Sequence, residues 1–170
     1  MWWLHPCAAI YLVLHREAGV VTLTPLMKIV IARELLTAGL EELDRTHTVL
    51  SNGLDCGREQ LLESVAGADA IVADPTVSVD EELLEAAGAQ LKLVANFAVG
   101  HDNVDLDACR ARGVVVTNTP DVLTNATAEL AVGLTLAAAR RITGSERRMR
   151  NGEWRGWDPG DFLGFDLSGA

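Results

Sequence analysis

The stretch Asn96–Asp105, NFAVGHDNVD, follows an apolar run, LKLV, and drops abruptly into small and polar residues. Gly100 and the small Ala98 would let a ligand approach the backbone closely, and free N–H groups in such a turn suit a carboxylate or phosphate. Taken on spacing alone, the stretch also fits a plain strand-to-helix turn in which Asp102 or Asn103 caps the next helix. His101 is the only one of the four histidines on this loop. A general acid needs a partner to set its pKa, and no His–carboxylate pair is legible, so His101 reads as a solvated loop residue.

Other chemistry-bearing residues are sparser. Asp74-Pro75 ends another apolar run and resembles the phosphoacceptor position of response-regulator receiver domains, which share a five-strand doubly wound fold. Those domains need an acidic pair after the first strand, where this chain has Ala32-Arg33-Glu34. Cys7, Cys56 and Cys109 are far apart and in no metal-ligand spacing, so neither a disulfide framework nor a metal site is expected, and a reducing, cytoplasmic setting fits. A strand-to-helix GxGxxG loop occurs nowhere in the sequence, so a nicotinamide cofactor is not held by that device. The net charge of -10 and pI of about 4.7 argue against nucleic acid, because phosphate neutralisation needs clustered Lys and Arg. Arg140, Arg141, Arg147, Arg148 and Arg150 do cluster; they read as residues that complement the negative end of a helix and face water.

The elements that must position these residues follow from periodicity. From Met27 onward, short Val- and Ile-rich runs alternate with amphipathic segments, the pattern of a parallel sheet with covering helices. Strands are expected at 28–32, 47–51, 69–73, 92–96 and 114–117, with helices near 35–44, 57–66, 80–88 and 105–112. Asp80 is placed to cap the third helix, and Gly67, Gly88 and Gly113 sit where helices should stop. The expected fold is α/β, a doubly wound, flavodoxin-like parallel sheet.

A longer helix is expected to start between Pro120 and Asn125 and run to about Ile142, apolar around most of its circumference through Leu123, Leu130, Leu134, Val132 and Leu136. The tail places Trp154, Trp157, Phe162 and Phe165 among glycines, where large aromatics are expected to pack on a neighbouring body. At the other end, no Lys or Arg precedes the apolar part of residues 1–26, and Pro6 and His15 bound a run too short to span a bilayer. Residues 1–26 are expected to be an extension, or to precede a natural start at Met27.

Taken together, LKLVANFAVGHDNVDLDACRARGVVVTNTPDVLTNATAELAVGLTLAAARR and NGEW resemble the D-isomer-specific 2-hydroxyacid dehydrogenases, most closely their glyoxylate/hydroxypyruvate reductase branch. The most specific parts are VGHDNVD and TPDVLTNATAEL. The resemblance implies a substrate domain over 27–120 and the start of an NAD(P)-binding Rossmann domain over 121–170. It implies that Ala98, Val99 and Gly100 form the substrate site, the N–H groups of Val99 and Gly100 holding the carboxylate of a 2-oxo acid such as glyoxylate. Asn103 would shape the hinge side of the cleft, Thr127 would face bound NAD or NADP, and the 121–151 segment would form a homodimer contact. The family's GxGxxG strand and its catalytic Arg, Glu and His would follow GFDLSGA, so this chain alone is expected to position a carboxylate without turnover. A non-catalytic partner of a full-length homologue is the other reading.

Overall fold

The computed structural model describes residues 26–35 and 40–169. Apart from Leu26, the extension expected over 1–26 lies outside them. The chain divides into two compact units, Met1–Asp121 and Val122–Ala170.

In the first unit, β1 (Lys28–Ile31), α1 (Leu40–Thr46), β2 (Thr48–Ser51), α2 (Arg58–Val65), β3 (Ala70–Ala73), α3 (Glu81–Ala87), β4 (Leu93–Asn96), α4 (Leu106–Ala111) and β5 (Val115–Thr117) alternate along the chain. The sheet is wholly parallel in the order β2-β1-β3-β4-β5, which is the flavodoxin-like doubly wound topology. Strand residues alternate between two cores. Val30, Ile71 and Val94 pack with Leu61, Val65, Leu83, Leu84 and Cys109 on one face. On the other, Ile29, Ile31, Val72, Leu93 and Ala95 pack with Leu43. Burying each of the fully enclosed leucines, Leu83 and Leu84, is worth about 2 kcal/mol.

Helix ends follow local chemistry. The Asp80 carboxylate accepts the Leu83 N–H at 3.0 Å and caps α3. Gly67, Gly88 and Gly113 all have positive φ (74°, 96° and 68°), so the chain leaves α2, α3 and α4 through a conformation that costs glycine least. Within this unit two expectations differ by more than a residue. The helix expected over 35–44 is α1 at Leu40–Thr46, with residues 36–39 outside the described set. Neither Asp102 nor Asn103 caps α4; Asp105 does, accepting the Ala108 N–H at 2.9 Å, because His101–Asn103 are still part of the preceding turn.

The second unit contains α5 (Thr124–Ala139) and α6 (Ile142–Arg150). The helix expected to reach Ile142 stops at Ala139 because the returning tail takes up its end. Phe165 N–H donates to the Ala139 carbonyl at 2.6 Å, and a Cβ on Gly164 would lie 2.5 Å from the same oxygen. Arg141 then turns left-handed, with φ of 53°. Of the arginine cluster, Arg148 pairs with Asp161 at 2.5 Å and stacks 4.8 Å from the Phe162 ring centre, while Arg150 pairs with Glu146. The other tail aromatics, Trp154, Trp157 and Phe165, are exposed. No residue of α5 is buried. Among the described residues, no helix is long and apolar enough to cross a membrane.

Candidate functional site

β4 ends at Asn96, a residue only 1% exposed. Its Nδ2 donates to the Gly100 carbonyl and to Asn103 Oδ1, each at 3.0 Å. Asn103 Nδ2 in turn donates to Asn96 Oδ1 at 3.1 Å, to the Asp74 carbonyl at 3.0 Å and to the Val77 carbonyl at 2.9 Å. The two amides therefore satisfy one another while binding the turn after β4 to the loop after β3.

Between these two asparagines the backbone bends sharply. Phe97 N–H makes a last sheet-like bond to the Ala73 carbonyl at 2.7 Å, and Ala98 N–H folds back to Asn96 O at 2.8 Å. The next three carbonyls are all occupied. Ala98 O accepts the Thr119 N–H at 2.8 Å, Val99 O accepts Asn118 Nδ2 at 2.7 Å, and Gly100 O accepts Asn96 Nδ2. The N–H groups of Val99, Gly100 and His101 have no acceptor among the described residues, and these three residues are exposed. Ala98 is buried beneath them. Gly100 does not have a left-handed φ, and an added Cβ would meet only Asp102 Oδ2, at 3.4 Å. Nothing in the described fold demands glycine there; the bare position leaves room above the N–H groups.

The expected site residues Ala98, Val99, Gly100 and Asn103 thus share one turn, whereas Thr127 lies on α5 in the second unit, its N–H bonded to Leu123 O at 2.8 Å. Asn96 and Asn118 are not singled out by sequence reasoning. An asparagine closing an apolar run is the one visible signal for the first, and Asn118 offers none.

One strand over, a cavity of about 380 Å³ opens past β1 and β3, lined in part by Arg33, Cys56, Arg58 and Thr76. Its charges are already engaged. Arg33 donates to Leu54 O and Thr76 Oγ1 and lies 4.0 Å from Asp74. Arg58 donates to Ser78 O and pairs with Asp80 and Glu82. Partial burial pushes the Asp80 carboxyl up, but the Leu83 N–H and the Arg58 guanidinium outweigh it and hold the group below the usual carboxylate range. Asp74 accepts the N–H and hydroxyl of Thr76, a local turn rather than a metal-binding arrangement. Among the described residues, no group of three or more His, Cys, Asp or Glu is placed to hold a metal ion.

The fold is a doubly wound parallel α/β domain whose fourth strand ends in a turn with exposed N–H groups that have no acceptor among the described residues. Residues 29–147 match the D-isomer specific 2-hydroxyacid dehydrogenase catalytic domain, and the chain belongs to that family. It is 43% identical over 149 residues to a glyoxylate reductase of Thermococcus onnurineus, covering 84% of this chain and 44% of that protein. A crystal structure of a Thermus thermophilus protein superposes with a TM-score of 0.78 at 38% identity, covering 83% of this chain and 46% of the other. An NADPH-dependent glyoxylate/hydroxypyruvate reductase of Sinorhizobium meliloti, crystallised with citrate, gives 0.62 at 30% identity over 78% of this chain and 42% of its own. The chain thus spans under half the length of these relatives.

Proposed function

We propose that this chain is the substrate-domain portion of an NAD(P)-dependent D-2-hydroxyacid dehydrogenase of the glyoxylate reductase kind. Residues 27–120 form the substrate domain and 121–170 begin the cofactor domain; the division between Asp121 and Val122 supports that reading. The observation that carries it is the pair of exposed, unpartnered N–H groups on Val99 and Gly100. Both would donate to one carboxylate of a small 2-oxo acid, as charge-assisted hydrogen bonds. On the family resemblance, Asn103 in the first unit would take the hinge role and Thr127 in the second would be the residue turned to a cofactor. A bound nicotinamide would supply hydride to the substrate carbonyl. The residues present do not fit that group, since the sequence lacks a GxGxxG strand-to-helix turn, and no step is assigned through it. What these residues do is bind and orient the acid.

The test is an amide-resolved NMR titration of the 170-residue chain with oxamate, with neutral acetamide as control. Val99 and Gly100 resonances should move saturably with oxamate and stay fixed with acetamide; their indifference to millimolar oxamate overturns the reading. The same chain with glyoxylate and NADH or NADPH should oxidise neither cofactor above a blank. A second reading, a non-catalytic partner that pairs with an intact homologue, is favoured by one observation: the apolar residues of α5 are exposed. Co-purification with a full-length relative would support it.

A further inference from the structure

We infer that Asn118 is a positioning residue that aims the anion-binding N–H groups from outside the turn. The inference rests on the carboxylate reading above and deepens it. It follows from the planarity of the peptide unit, in which the carbonyl of one residue and the N–H of the next point in opposite directions across a trans bond. No cis peptide occurs among the described residues. Fixing a carbonyl therefore fixes the direction of the N–H that follows it.

Three consecutive peptides in the turn are fixed in this way. Thr119 N–H holds the Ala98 carbonyl at 2.8 Å, which turns the Val99 N–H away from the β5 side. Asn118 Nδ2 holds the Val99 carbonyl at 2.7 Å, which does the same for the Gly100 N–H. Asn96 Nδ2 holds the Gly100 carbonyl at 3.0 Å and so directs the His101 N–H. The sheet ladder between β4 and β5 reaches only as far as Ala95 and Thr117. Beyond it, Thr119 reaches back by its backbone, but the Val99 carbonyl is met by a side chain. Asn118 is therefore the one member of the β5-side clamp that substitution can remove without cutting the backbone, and its loss frees the peptide that carries the Gly100 N–H.

The near-isostere Asn118→Leu removes the donor while keeping the volume. Oxamate titrations of the wild-type chain and the variant, read at the Val99 and Gly100 amides, should show affinity about tenfold weaker in the variant. The Gly100 amide of the free variant should shift and broaden, while the Val30 and Ile71 amides keep their positions and report an intact sheet. If Asn118→Leu does not fold, Asn118→Ala gives the same comparison. Equal oxamate affinity in wild type and variant overturns the positioning role and leaves the carboxylate reading standing. Failure of the wild-type chain to bind oxamate overturns both.

Discussion

The amide pair Asn96–Asn103 concentrates several obligations in one buried place. Asn96→Ala would strand the Gly100 carbonyl and half of the hydrogen bonding of Asn103. The expected loss is about 2 kcal/mol of unfolding free energy, read from urea midpoints; a change within error would show that water replaces the amide. This is also where the sequence was least legible. Gly100 and its neighbours stood out because small residues after an apolar run are a local signal. The partners that aim them, Asn96 and Asn118, act across 4 and 19 residues respectively, and an asparagine in isolation does not announce which carbonyl it will meet. From local spacing Asn103 reads as a cap, and only the family resemblance gave it another role, since its three acceptors come from other loops and from β4.

At the scale of elements, period and punctuation carried most of the fold. Short apolar runs located all five strands to within a residue or so; β1, β3 and β4 are buried and tolerate little else, while the edge strands β2 and β5 are largely exposed. The end of α5 was not legible, because it depends on Gly164 and Phe165 returning to the Ala139 carbonyl. The cap of α3 yields a pH prediction. The Asp80 carboxyl is held below its ordinary value, so its contribution is complete above the unfolded value of about 3.9. It is lost as the pH falls through the lower folded value. Asp80→Asn keeps an acceptor for Leu83 but removes the charge that meets Arg58. Denaturant unfolding should find the wild type more stable by under about 1 kcal/mol at about pH 6, since the pair is solvent-screened. The difference should shrink as the pH falls below about 3.9 and through the lower folded value; a gap that does not shrink in acid would mean that shape, not charge, sets the cap.

For the whole molecule, the second unit raises the question of what covers it. Leu130 and Leu134 lie one helical turn apart on α5 and are 63% and 61% exposed, and Trp157 is 88% exposed. Exposed apolar side chains on one helix favour association, and a second copy meeting them through the 121–151 segment is the arrangement we propose. Light scattering across about 1–100 μM should show a mass above that of one chain, and Leu130→Glu with Leu134→Glu should return it to a monomer. A wild-type chain that stays monomeric over that range would exclude the contact.

The two hydrogen bonds that clamp the turn from the β5 side have a mechanical meaning as well. Thr119 and Asn118 are the last residues tied to the sheet before the chain crosses out of the first unit at Asp121. Tension applied to the chain at that crossing reaches the Ala98 and Val99 carbonyls before it reaches the Val115–Thr117 ladder. The turn would lose its aim while the sheet was still whole, so a pull at this crossing would loosen the proposed carboxylate site first.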